Sequence, residues 1–125
     1  MLDFLRELKD FLNRKDFDID TEFILIRKRK ECEDEEYSTY FTMLDLEYDV
    51  RDVVERLKEL TLAEYSETKI DKDDVNPPVL FVFGKIIDGR LVYVKLKMKG
   101  NEMRYVLCVS FHYAKSQMVF PYACQ

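Results

Sequence analysis

The stretch that decides the fold is Arg90-Leu-Val-Tyr-Val-Lys-Leu-Lys-Met-Lys99, followed closely by Met103-Arg-Tyr-Val-Leu-Cys-Val-Ser-Phe-His112. Both runs alternate apolar and polar side chains with a period of two, which is typical of half-buried β-strands. Gly100-Asn101 lies between them and predicts a tight turn, so the two runs form a β-hairpin. One face of this hairpin is apolar, whereas the other is unusually polar and basic.

The segments on either side extend the hairpin into a sheet. Residues 79–87 are almost continuously apolar, as expected of a buried strand. Asp88-Gly89 predicts a two-residue turn with positive φ at both positions. At the other end, Pro121 limits residues 118–122 to an edge or terminal strand.

The first half of the chain has a helical periodicity. Apolar side chains recur three to four residues apart over residues 2–15, over about 34–45 and after Asp49, which predicts three helices, the last with Asp49 as its N-cap. Residues 23–26 predict a short strand between the first two helices. This order of elements predicts an α+β fold, with N-terminal helices packed on one face of a C-terminal antiparallel sheet.

The length fits a single domain over residues 1–125. We expect a helical layer over about residues 1–65 and the antiparallel sheet over about residues 79–122. Residues 66–78 contain Pro77-Pro78 and predict a long loop between the two layers.

Two-residue turns would set the register of the sheet. Gly84 would then lie opposite Tyr93, and Tyr93 opposite Cys108. Lys97 would face Arg104, and because like charges in opposed positions repel, a bound anion would relieve the contact. This favours a phosphate-binding face, although exposed cations on a solvent face are the structural alternative.

In this register the core wall would be Phe81, Phe83, Ile87, Val92, Val94, Leu96, Met98, Met103, Tyr105, Leu107, Val109 and Phe111. The polar face would hold Leu80, Val82, Gly84, Ile86, Tyr93, Lys95, Lys97, Arg104, Val106, Cys108, Ser110 and His112.

His112 is the only histidine and therefore the only side chain that ordinarily titrates near neutral pH. With a two-residue turn, His112 and Tyr93 would be four residues apart along the sheet, too far to share a proton. A looser loop through residues 100–103 would bring them opposite each other. A purely structural histidine at a strand end is the alternative.

The charge is divided between the two halves of the chain. Residues 1–78 carry 13 basic and 23 acidic side chains, a net charge of −10, whereas residues 79–125 carry 7 and 2, a net charge of +5. A basic sheet on an acidic helical layer is a possible electrostatic footprint for a nucleic acid. The basic tetrad at residues 27–30 is a further candidate for backbone contact, although the acidic run that follows would partly neutralise it.

The composition also argues against several classes of protein. No apolar run approaches the length of a membrane span, and the charged N-terminus does not read as a signal peptide. Cys32, Cys108 and Cys124 lack paired spacing, which favours a reducing compartment over a disulfide framework. With one histidine they cannot build a zinc site. We therefore expect a cytoplasmic protein with no membrane segment, no metal and no cofactor.

Four short motifs carry a family resemblance. They are Val79-Leu-Phe-Val-Phe-Gly-Lys85, Leu91-Val-Tyr-Val-Lys-Leu-Lys97, Leu107-Cys-Val-Ser-Phe-His112 and Phe120-Pro-Tyr122, with a weaker likeness over residues 60–65. Together they resemble toxins of the motility quorum-sensing regulator (MqsR) family, most specifically in Val-Tyr-x-Lys and Ser-Phe. The resemblance implies a RelE-like α+β fold, metal-independent cleavage of messenger RNA on a sheet face, and inhibition by a cognate antitoxin.

The resemblance also implies a set of site residues. Tyr93 matches the family's active tyrosine, and His112 stands where the best-known branch has a lysine after Ser-Phe. A further family lysine aligns near Glu67, with Lys69 two residues on, and a family glutamine has no clear counterpart. The implied catalytic residues are His112, Tyr93 and Lys95, and the implied RNA- or phosphate-binding residues are Lys97, Arg104, Lys69 and Ser110.

The implied reaction is a transesterification. A base removes the proton of a ribose 2′-OH, the oxygen attacks the adjacent phosphorus, cations hold the nonbridging oxygens, and an acid protonates the leaving 5′-oxygen. His112 is the candidate acid or base, with Tyr93 as its partner or as a hydroxyl that orients the substrate. The need for a 2′-OH makes the substrate RNA. The alternative function is a non-catalytic interaction domain whose basic sheet face binds a protein or a nucleic acid.

Overall fold

A computed structural model of the protein describes residues 1–27 and 35–123. Its helices and strands, in chain order, are α1 (Leu2–Leu12), α2 (Ile19–Glu22), β1 (Phe23–Leu25), α3 (Thr39–Leu46), α4 (Val50–Lys58), β2 (Tyr65–Ile70), β3 (Val79–Ile87), β4 (Arg90–Lys99) and β5 (Tyr105–Tyr113). The strands form one sheet in the order β1-β5-β4-β3-β2. The helices pack on one face of this sheet, and the opposite face is called the open face below. The predicted α+β fold class is confirmed.

The helices begin and end where local chemistry dictates. Asp49 is the N-cap of α4, as predicted, and forms a capping box with Asp52: each carboxylate accepts from the other residue's backbone N–H, at 3.1 and 2.9 Å. The helix then buries Val53, Val54 and Leu57 against the sheet. The first helix is shorter than predicted and stops at Leu12.

The end of β5 that carries His112 is fixed by α3. Backbone N–H groups of Phe111 and Tyr113 donate to the hydroxyls of Thr39 and Thr42, at 3.0 and 2.9 Å. Both threonines are buried, so these bonds satisfy strand donors away from water. β1 pairs with β5 only over residues 106–108 and is parallel to it. The whole sheet is therefore mixed, whereas its C-terminal strands β3, β4 and β5 are antiparallel, as predicted.

The predicted loop at residues 66–78 is wrong in its first part. Tyr65–Ile70 forms β2, which pairs antiparallel with β3 at the edge of the sheet. Its sequence lacks an apolar run because an edge strand exposes most of its side chains, and here they are largely exposed. The predicted terminal strand at residues 118–122 is also wrong, since these residues form no strand and cross the open face instead.

The Asp88-Gly89 turn is confirmed, with φ of 50° and 80° and with Ile87 paired to Arg90. The second hairpin differs from the prediction, because a five-residue loop replaces the two-residue turn and pairs Lys99 with Tyr105. Gly100 starts this loop at φ 86°, and a β-carbon there would collide with the carbonyl oxygen of Met103.

With the five-residue loop alone, every side chain of β5 would lie on the face opposite to the predicted one. A β-bulge restores the predicted faces for the residues beyond it. Lys95 pairs with Ser110 but Leu96 pairs with Cys108, so Val109 is the extra residue. Before the bulge, Val106 and Cys108 belong to the buried core, which corrects their predicted place on the polar face. Beyond the bulge, Ser110 and His112 return to the open face, as predicted.

Candidate active site

Tyr93 and His112 lie side by side on the open face. Tyr93 of β4 pairs directly with His112 of β5, and on its other side it pairs with Gly84 of β3. The two rings stack with centroids 5.2 Å apart and planes 12° apart. The looser loop is thus the correct alternative, and together with the bulge at Val109 it brings the two candidate catalytic side chains together.

The ring of His112 is oriented by the backbone. Its Nδ1 lies 2.9 Å from the carbonyl oxygen of Tyr113. Because a carbonyl only accepts, Nδ1 carries the hydrogen and donates it. Nε2 then holds the lone pair of the neutral ring, or a second N–H in the imidazolium. The same orientation therefore serves a base or an acid at Nε2.

A pocket of about 330 Å³ opens beside the ring pair. It is lined by Tyr93 and His112, by Ser66, Glu67 and Lys69 of β2, and by residues 115–119 of the segment that follows β5. This volume is at the lower end of the roughly 300–1,000 Å³ usual for small-ligand pockets, so it fits one nucleotide rather than a duplex. Lys69 is exposed and lines this pocket.

The C-terminal segment, residues 114–122, is held against the open face at Gly84. A β-carbon at this position would lie 2.7 Å from Phe120 Cζ and 2.9 Å from Met118 Sδ, closer than ordinary contact. The hydroxyl of Ser66 donates to the carbonyl oxygen of Val119 at 2.7 Å, which ties the segment to β2. Gly84 therefore forms a notch that seats this segment beside Tyr93.

Lys95 and Ser110 lie opposite each other on the open face, next to the ring pair along the strands. Lys95 is half-buried, whereas Ser110 is only 8% exposed. The structure thus places Lys95 near Tyr93, and it places Ser110 beneath the surface of the predicted site.

Lys97 does not belong to this site. Its side chain is 1% exposed, and Nζ donates to Asp71 Oδ2 at 2.6 Å and to the carbonyl oxygens of Asp74 and Pro77 at 3.0 Å each. It pairs with Leu107, so the prediction that Lys97 faces Arg104 is wrong. The ammonium group is already bonded to protein oxygens, and these bonds fasten the loop between β2 and β3 to the sheet.

The carboxylates of this loop are held in their ionised form. The hydrogen bond from Lys97 lowers the pKa of Asp71, and burial opposes this effect. The hydrogen bond from Lys99 lowers the pKa of Asp74 to about 2. The same bond raises the pKa of Lys99. These ion pairs occupy Lys97, which the sequence analysis assigned to a phosphate, and its neighbour on the same face, Lys99.

Arg104 is also outside the site, which corrects its place beside Lys97. It lies in the hairpin loop and pairs with Glu7 of α1. There it lines a second pocket, of about 810 Å³, between that helix and the loop. Tyr93 is six residues from the loop end of β4, or roughly 20 Å along the strand. Arg104 is therefore too remote to contact a phosphate held at the ring pair.

Metal and membrane features are absent from the described part of the chain. Within residues 1–27 and 35–123, no three His, Cys, Asp or Glu side chains are grouped to hold a metal ion. No helix in the same ranges is long and apolar enough to cross a membrane. Burial raises the pKa of the Cys108 thiol to about 12, so this cysteine is not a nucleophile. Cys32, Cys124 and residues 28–30 of the basic tetrad lie outside the described residues.

Sequence reasoning missed the contribution of Gly84 and of residues 115–119. A glycine inside a strand often marks the close approach of another segment, and that signal was available at Gly84. Nothing in the sequence of residues 115–119 indicates that they line a pocket, because their position depends on contacts with distant strands.

Comparisons with protein-family models, with curated proteins and with solved structures find no match to this chain. The likeness of its motifs to the MqsR family therefore stays a prediction.

Proposed function

We propose that the chain is a metal-independent endoribonuclease that cleaves messenger RNA in the cytoplasm. On the strength of its motifs we further propose that it is an MqsR-like toxin with a cognate antitoxin. One observation carries the proposal: Tyr93 and His112, the two residues matched to catalytic positions, stack against each other at a pocket that also contains Lys69.

The chemistry needs a proton-transfer group, a cation and a way to orient the ribose. His112 exchanges a proton with the substrate at Nε2, as base toward the 2′-OH or as acid toward the leaving 5′-oxygen. The hydroxyl of Tyr93 orients the substrate beside it. Lys69, Lys95 and Lys115 provide positive charge for the nonbridging phosphate oxygens, because all three lie at or beside the pocket.

The alternative, a non-catalytic domain that binds through a basic sheet face, depends on an extended positive surface. Lys97, Lys99 and Arg104 instead pair with carboxylates of the same chain. Lys69 is exposed and lines the pocket at the ring pair. A cation beside the ring pair favours local chemistry at one phosphodiester, whereas a long backbone-tracking surface needs cations spread along the face.

The test is cleavage of a labelled single-stranded RNA by the purified protein in the presence of EDTA. We expect products that end in a 2′,3′-cyclic phosphate and a 5′-OH, and no cleavage of the corresponding DNA. His112→Ala should lower the rate by about a hundredfold or more, the usual contribution of a general acid or base. Tyr93→Phe preserves the ring stack and isolates the contribution of the hydroxyl.

Arg104→Ala is the matched control, because it removes a cation whose partner is a surface carboxylate away from the site. It should cleave at the wild-type rate. A wild-type protein that makes no cuts in RNA, in the test tube or in mapped cellular transcripts, would refute the enzyme proposal and leave the interaction domain. Full activity in His112→Ala would remove His112 from the chemistry.

A further inference from the structure

The segment after β5 presents to the pocket two polar side chains that form no hydrogen bond within the described part of the chain. Ser116 and Gln117 are exposed and line the pocket beside the ring pair. Neither side chain has a hydrogen-bond partner among residues 1–27 and 35–123. They provide a hydroxyl and a carboxamide, and the carboxamide offers one acceptor and two donor hydrogens.

The backbone next to these side chains is held in place before any substrate arrives. Phe120 and Met118 fill the notch at Gly84, and Ser66 holds the backbone of Val119. The rings of Tyr65 and Tyr122 also lie in contact, with centroids 5.8 Å apart. Because the backbone beside them is already ordered, a ligand that binds Ser116 and Gln117 has only their side chains left to order, which suits recognition.

We infer that Ser116 and Gln117 determine base specificity, by reading the nucleotide next to the scissile phosphate. This inference rests on the proposed function, which places the phosphate at the ring pair. The pocket is about the size of one nucleotide. In single-stranded RNA the hydrogen-bonding edges of the bases are accessible, and side-chain amides and hydroxyls are the groups that read them. The substrate class is therefore unpaired RNA with a preferred base at one flanking position.

The experiment measures cleavage of a single-stranded RNA pool that is randomised around the cut, with sequencing of the product ends. Wild-type protein should prefer one base or one pair of bases at a position next to the cleaved bond. Gln117→Ala should lower discrimination at that position by about tenfold, the order of magnitude of one good side-chain–base pair. Gln117→Glu replaces the amide donors with acceptors and should change which base is preferred.

Asn101→Ala is the matched control, since it removes another exposed carboxamide, at the far end of the same hairpin. It should keep the wild-type preference. A wild type without base preference, unchanged discrimination in both Gln117→Ala and Ser116→Ala, or an equal effect of Asn101→Ala would overturn the inference while the proposed function stands. A wild type that makes no cuts would overturn the proposed function and this inference together.

Discussion

Gly84→Val tests whether the C-terminal segment builds the site. A β-carbon at position 84 would lie 2.7 Å from Phe120 Cζ and 2.9 Å from Met118 Sδ. Ordinary carbon contacts are about 3.5–4.0 Å, so even a methyl group displaces these atoms by roughly 1 Å. Valine adds two further carbons on the same face. Overpacking of this kind costs about 1–3 kcal/mol, and undocking of the segment relieves it.

The helical core should survive this change. Phe83 and Lys85, the neighbours of Gly84, point to the opposite face, and the side chain at position 84 meets only the segment. Limited trypsin proteolysis is the direct assay: cleavage after Lys115 should become faster in the variant, while amide-exchange protection of β3, β4 and β5 is kept. RNA cleavage should weaken mainly through a higher KM, because half of the pocket wall moves away.

Gly89→Ala is the control for the added methyl group. Nothing lies within 4 Å of a β-carbon there, so this variant carries only the cost of its positive φ. It should leave cleavage after Lys115 at the wild-type rate. If trypsin cleaves Gly84→Val there no faster than the wild type, the notch does not seat the segment and the reasoning fails.

Two further predictions concern the loop between β2 and β3. Lys97→Met removes the ammonium group that joins Asp71 to two backbone carbonyls, so it should lower the denaturant midpoint of unfolding. The decrease should be clearly larger than in Lys58→Met, which removes a helix-surface ion pair. Equal midpoints in the two variants would contradict a role for Lys97 in fastening the loop. The second prediction is that the folded protein loses stability in acid. Folding lowers the pKa of Asp71 and lowers that of Asp74 from 3.8 to about 2. Between about pH 2 and pH 4 the folded protein therefore binds fewer protons than the unfolded chain. The stability that these carboxylates provide should be present above about pH 4 and lost as the pH falls toward 2. Asp74→Asn should flatten the dependence of unfolding free energy on pH in that window, and an unchanged slope would show that Asp74 does not contribute.

Features with a local cause could be predicted from the sequence. The Asp49 cap and the Asp88-Gly89 turn depend on side chains and φ preferences within a few residues, and both are present. The alternation of β4 correctly separated Tyr93 and Lys95 from the core. Such a pattern indicates which face a residue occupies, but it does not determine the partner across the strand.

Features with a distant cause could not be predicted. Lys97 reads as an exposed cation because its partner, Asp71, is 26 residues away and meets it only after β2 and β3 have paired. The exposed strand β2 lacks an apolar run. Tyr93 and His112 were assigned to one face for the right reason, but the distance between them depended on the loop at Gly100 and on the bulge at Val109.

The bulge at Val109 has a consequence for how related chains would vary. Within β5, each residue added or removed inverts the facing of everything beyond it unless a bulge absorbs the change. A change of one residue in the loop at residues 100–104 leaves the pairing intact, and Val106 and Cys108 stay inward. Loss of the bulge alone would turn His112 into the core and Phe111 into solvent. In an alignment of relatives, we expect single-residue gaps in the loop or at the bulge, and gaps elsewhere in β5 only as compensating pairs.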